Sequence, residues 1–116
     1  MAPAVIDTFI VDAIKVSTLK FTLPLDHARP AGAALSVVAK VVNNYKYNHN
    51  NNSNNHQTFD KEKDISSKVI LFLQGGPGFP SVTPTSKSTP PFLQPLLARD
   101  YTVILLDQRG TGLSTP

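Results

Sequence analysis

KVILFLQGGPG, Lys68 to Gly78, decides how the rest of the chain is read. Its apolar run is continuous rather than alternating, the texture of a strand buried on both faces of a parallel sheet. YTVILLD, Tyr101 to Asp107, has the same texture. The residues between them, 75–100, exceed the roughly dozen that a parallel crossover needs. Within that crossover SVTPTSKSTPP is loop-like, and FLQPLLARD holds a short helix with Pro95 at or near its first turn. A right-handed strand–helix–strand unit is expected. The fold class is α/β.

Upstream, VSTLKFTLPL from Val16 to Leu25 alternates and is rich in β-branched residues, the pattern of a strand ending near Pro24. LSVVAKVV, Leu35 to Val42, is a second strand, and DHARPAGA between them supplies Asp, Pro and Gly for the turn. The two form an antiparallel hairpin near a sheet edge, with Lys20 and Lys40 as solvent-side charges. The next stretch, Asn43 to Asp64, is asparagine-rich and then charged, with almost no aliphatic side chain. It cannot bury enough apolar surface to offset the entropy of ordering it, and reads as a disordered surface insertion. The 116 residues fit at most one domain.

Composition excludes several classes of function. No cysteine is present, so there is no disulfide framework, thiolate zinc site or cysteine nucleophile. The net charge of +3 is spread along the chain without a basic run, which is not a nucleic-acid footprint. His49 and His56 have no carboxylate or thiol between them, so no metal site is assigned. The N-terminus, MAPAVIDTFIVDAIKVST, has no basic n-region before it and is interrupted by Asp7 and Asp12, so it reads as a poor secretory signal and as too short and charged for a membrane span. A cytoplasmic protein is the default expectation.

Both buried-looking strands end in glycine-rich segments. The first ends in Gln74-Gly75-Gly76-Pro77-Gly78, the second in Asp107-Gln108-Arg109-Gly110-Thr111-Gly112-Leu113-Ser114. In open α/β sheets, ligands bind beyond the carboxyl ends of the strands. QGGPG followed by LLDQRGTGLSTP resembles the proline iminopeptidase family of α/β-hydrolase serine peptidases. PLDH, Pro24 to His27, is similar to a segment of that family's N-terminal hairpin. The resemblance covers the chain apart from the asparagine-rich insertion.

The resemblance implies a role for the first glycine loop. Acyl transfer builds negative charge on the carbonyl oxygen, and backbone N–H groups stabilise it; losing one such donor raises the barrier by about 3 kcal/mol. In α/β-hydrolases one donor comes from this loop and the other from the residue after the nucleophile. Gly75 is the implied donor and Gly76 shares its turn, because glycine lets a carbonyl approach the main chain without a Cβ in the way. Pro77 fixes the local φ. Gln74 departs from the His that many relatives carry there. Asp107 and Arg109 flank a buried strand end, where charges need partners, and Arg109 is read as a structural hydrogen-bond fork rather than a catalyst.

No G-x-S-x-G nucleophile motif occurs in the chain. Gly112-Leu113-Ser114-Thr115-Pro116 lacks the last glycine and comes one strand too early, so Ser114 is not the nucleophile. His27, His49 and His56 all precede the place of the serine, and under the order Ser…Asp…His none is the general base. His27 reads as a surface turn residue. The expectation is an N-terminal portion of a longer serine aminopeptidase, acting on peptides with a free N-terminus and needing no cofactor, and inactive by itself. About four strands would leave one apolar strand edge unpaired. Two other readings stand beside it. One is a truncated, non-catalytic product or peptide-binding module. The other is a dinucleotide-binding unit, since Gly76-Pro77-Gly78-Phe79-Pro80-Ser81 resembles G-x-G-x-x-G with Asp107 as its acid. That fingerprint needs a helix opening at the loop, where prolines stand, and an acid about 20 residues on, nearer than Asp107.

Overall fold

The computed structural model describes residues 3–45, 68–76 and 78–114. Among these, the chain order is β1 (Ala4–Val11), β2 (Ile14–Pro24), β3 (Ala34–Asn44), β4 (Val69–Leu73), α1 (Leu93–Ala98) and β5 (Thr102–Asp107). The strands form one mixed sheet in the order β1-β2-β3-β5-β4. β1, β2, β3 and β5 pair antiparallel in turn, and β4 joins β5 in parallel.

The register lines up β-branched residues across four strands. Val16 faces Val42, Val42 faces Val103, and Val103 faces Ile70. Directly opposed residues share a sheet face, so this row forms one apolar stripe, and α1 packs on that side. Leu93 and Leu97 of α1 join Ile14, Val16, Val42, Val103 and Leu105 in the buried core. The Phe72 and Phe92 rings stack at its margin with centroids 4.6 Å apart. Pro95 is the third residue of α1, within the first turn, where a missing N–H deprives the helix of nothing. No helix among the described residues is long and apolar enough to cross a membrane.

Several expectations need correction. The sheet has five strands among the described residues rather than about four, because Ala4–Val11 forms β1. Its alternation is hidden by a bulge between Val5 and Asp7 that shifts the register, so the side chains change face midway. β4 is not buried on both faces: Ile70 and Phe72 are half-buried toward α1, whereas Val69, Leu71 and Leu73 are 45%, 54% and 53% exposed. The strand is apolar on two faces, lies at the sheet edge, and is covered on one. Lys20 is solvent-exposed, as expected of a charge facing water, but Lys40 is buried.

The asparagine-rich stretch also begins later than its composition implies. Asn43 and Asn44 are the last residues of β3. The Asn43 side-chain amide donates to Thr102 Oγ1 at 2.9 Å, and that of Asn44 donates to the Leu97 carbonyl at 2.7 Å. Both are therefore structural ties from the sheet to β5 and α1. The remainder of the insertion, with His49 and His56, lies outside the described residues.

The β1–β2 turn is a tight one in which Asp12 and Ala13 have φ of 50° and 59°. Two consecutive positive φ values define the hairpin turn that matches strand twist, for which Asn-Gly or Asp-Gly is the preferred pair. Alanine at the second position opposes that conformation by about 1–2 kcal/mol, partly offset by the lower unfolded-state entropy of alanine relative to glycine. Ala13→Gly is therefore expected to stabilise the fold by roughly 0.5–1 kcal/mol. It should appear as a higher urea midpoint at unchanged m-value.

Candidate functional site

The two glycine-rich segments leave the sheet side by side. Leu73 at the end of β4 is in register with Leu106 of β5, so the segments beginning at Gln74 and Gln108 both start from the carboxyl end of one parallel pair. Gly75 is exposed, and a Cβ placed on it would meet nothing within 4 Å. Gly76 is different: its φ is +127°, and a Cβ there would approach the Phe79 ring to 2.5 Å. Glycine at 76 is thus demanded by the turn itself, whereas among the described residues nothing lies within 4 Å of a Cβ placed on Gly75. Pro77 lies outside the described residues.

Asp107 is the centre of the local structure. It is 1% exposed, and its two carboxylate oxygens serve two loops. Oδ1 accepts the Ser81 backbone N–H at 2.8 Å, and Oδ2 accepts that of Leu113 at 3.2 Å. The Lys40 ammonium lies 3.9 Å from Oδ2. Lys40 is directly opposite Leu105 on the neighbouring strand, which makes Asp107 its diagonal neighbour on the same face, within reach of a long side chain. The charge expected at the surface is the buried partner of the acid that the strand end requires. Ser81 is tied twice, because its hydroxyl also donates to the Leu106 carbonyl at 2.7 Å.

The segment after β5 folds back on the same point. Thr111 and Ser114 donate their N–H groups to the carbonyls of Gln108 and Thr111, each at 2.9 Å. Ser114 is buried, accepts the Val38 N–H at 2.8 Å and donates to the Asp107 carbonyl at 2.7 Å. Both functions of its hydroxyl are committed to joining β3 to β5, so it is a strand tie and not a free nucleophile. Gly112 has φ +51°, and a Cβ on it would fall on the Asp107 carboxylate and within 2.8 Å of Pro80 Cβ. Backbone and carboxylate touch there. Arg109 is exposed and donates from Nη2 to the Leu25 carbonyl at 3.3 Å, linking this loop to the β2–β3 turn. It acts as a structural donor, though through one arm of the fork. His27 is exposed in that turn, beside an Asp26 whose Oδ1 accepts the Ala28 N–H at 2.9 Å.

The parallel register puts the segments holding Gly75 and Gly76 and the Asp107 loop at the same end of the β4–β5 pair, and Ser114 and Arg109 make structural bonds. The dinucleotide reading fails in this geometry. Among the described residues the first helix after β4 starts at Leu93, so no helix N-terminus faces the glycine loop. Among the described residues no group of three His, Cys, Asp or Glu is placed to hold a metal ion. Three contributors escaped the sequence. Ser81 sits in a run of Ser, Thr and Pro that carries no pattern, and Gly112 differs from Gly110 only through its contact with Asp107. Lys40 did leave a signal: it is a lone charge inside the apolar run LSVVAKVV, and Asp107 needed a cation.

No protein-family model matches the chain. Two curated proteins do. Proline iminopeptidase aneH of Aspergillus aculeatus is 31% identical over 120 residues, an alignment covering 100% of this chain and 23% of that protein. A proline iminopeptidase of Aeromonas sobria is 29% identical over 110 residues, covering 93% of this chain and 21% of that protein. The chain spans less than a quarter of the length of either relative. The resemblance carried by QGGPG and DQRGTGLS thus extends along the whole chain, which is similar throughout to proteins of the proline iminopeptidase family.

Proposed function

We propose that this chain is the N-terminal part of an α/β-hydrolase serine aminopeptidase, residues 1–116 of a longer catalytic domain, and that it contributes the backbone donors of the oxyanion site. The reaction is acyl transfer on a peptide with a free N-terminus, proline preferred. A serine hydroxyl oxygen bonds to the first peptide carbonyl carbon while a base takes its proton. The C–N bond then breaks, the departing amine takes that proton, and water hydrolyses the acyl-enzyme to free the amino acid and the serine. The N–H groups at Gly75 and Gly76 face the oxygen that becomes negative in each step.

The observation that carries this reading is the open space over Gly75, where a Cβ would meet nothing within 4 Å. Gly76 needs glycine for its backbone; among the described residues nothing crowds Gly75, which fits a position that a substrate carbonyl approaches. The bare apolar face of β4 supports the rest. Val69, Leu71 and Leu73 are about half exposed on a strand at the sheet edge, and exposed apolar patches of this kind mark surfaces that something else covers. Further strands and helices of a longer polypeptide, holding the serine, acid and histidine, meet that requirement.

The test compares the natural polypeptide carrying QGGPG with the isolated 116 residues on a prolyl-anilide substrate. The longer protein is expected to release proline and the 116 residues to stay at the blank. Turnover by the 116 residues alone would contradict the proposed division of labour. A natural protein that binds peptides with free N-termini without turning them over would favour the non-catalytic binding module.

A further inference from the structure

The glycine loop is an arch with both feet on the end of β5. Its first foot is Leu73, paired in register with Leu106. Its second is Ser81, whose hydroxyl donates to the Leu106 carbonyl and whose N–H donates to Asp107 Oδ1. The loop spans these two points. The far foot rests on the Leu106 carbonyl and on one carboxylate, which is itself fixed by Leu113 N–H at 3.2 Å, by Lys40 at 3.9 Å, and by the close approach of Gly112. The Asp107 carbonyl is held in turn by Ser114 Oγ. Among the described residues, Lys40 belongs to β3 of the sheet, and Leu113, Gly112 and Ser114 belong to the loop after β5.

From this arrangement we infer that Asp107 is a positioning residue for acyl transfer: its buried carboxylate sets the height of the arch, and hence where the Gly75 and Gly76 N–H groups point. The inference rests on the acyl-transfer reading above. An oxyanion donor is useful only if it is already in place before charge develops, and a displacement of about 1 Å at a reacting centre can lower the rate on the order of 100-fold. Among the described residues no helix opens at the arch to supply that rigidity, since the first helix after β4 begins only at Leu93. The carboxylate supplies it instead. Asparagine in its place keeps the shape but offers one acceptor oxygen where two N–H groups need one each.

The experiment is the Asp107→Asn variant of the natural polypeptide. Its competent sites are counted with a fluorophosphonate, and proline release is expressed per labelled site. The expected result is a kcat per site lowered about 100-fold at nearly unchanged KM, because the arch acts on the developing oxyanion and not on substrate binding. A merely structural role would lower the labelled fraction and the melting temperature but leave kcat per site at the wild-type value, and that result would overturn the inference. If the unsubstituted protein takes no label and shows no turnover, the acyl-transfer reading falls and this inference falls with it, which separates the two failures. Should the variant not fold, amide exchange in the unsubstituted protein decides. Ser81 N–H is expected to be protected at least about 100-fold, as a buried bond to a carboxylate requires, and an unprotected Ser81 amide would overturn the clamp.

Discussion

Asp107→Ala is expected to destabilise the fold by about 3–5 kcal/mol, the range for removing one partner of a buried ion pair. The side chains of Lys40 and Asp107 are only 9% and 2% exposed, so the ammonium left behind cannot recover full hydration without moving a strand. Two backbone donors, Ser81 and Leu113, lose their acceptor at the same time. The two contributions can be separated. Adding Lys40→Met removes the orphaned charge and is expected to recover roughly 1–2 kcal/mol, leaving the shortfall of the two N–H groups. Urea unfolding of the single and double variants measures both quantities. Full recovery in the double variant would mean that the N–H bonds contribute nothing, and the carboxylate would then be only the partner of Lys40.

Gly112→Ala is expected to cost about 3 kcal/mol, of which a left-handed backbone accounts for about 1–2 kcal/mol. That is far more than the exposure of this residue implies. The remainder comes from the new Cβ, which would occupy the position of the Asp107 carboxylate and press within 2.8 Å of Pro80 Cβ. Either the acid leaves its hydrogen bonds or the loop rises off the strand end. Gly110→Ala is the matched control: Gly110 also has positive φ, +81°, but a Cβ there meets nothing within 4 Å. It should lose only the conformational part, about 1–2 kcal/mol. Equal effects at the two glycines would show that backbone strain alone governs this loop and that contact with Asp107 does not.

Legibility in the sequence depends on which forces are local. The β2–β3 hairpin is legible because alternation and turn residues lie within one short stretch, and the β4–α1–β5 order is legible from two apolar runs separated by a crossover. The glycine loop announces itself through three glycines around a proline. β1 stays hidden because its bulge between Val5 and Asp7 breaks the alternation on which strand recognition depends. Asn43 looks like the start of a polar insertion because it shares the composition of the residues after it, and its bond to Thr102 Oγ1 depends on a strand far along the chain. Lys40 is misleading for the same reason. A lysine on an apolar strand is ordinarily at the surface, and only the β3–β5 register reveals the acid beside it. The apolar run of β4 does mark a two-faced strand, but which face has a covering layer is a property of the neighbours and not of the strand.

On the proposed reading, the glycine loop serves an acyl-transfer site completed by further chain. Intact mass of the natural polypeptide carrying QGGPG, before and after reaction with a fluorophosphonate, tests it most directly. A species several times heavier than 12.6 kDa that gains one phosphonyl group on a serine other than Ser114 is the expected result. A species of 12.6 kDa that gains nothing would contradict it.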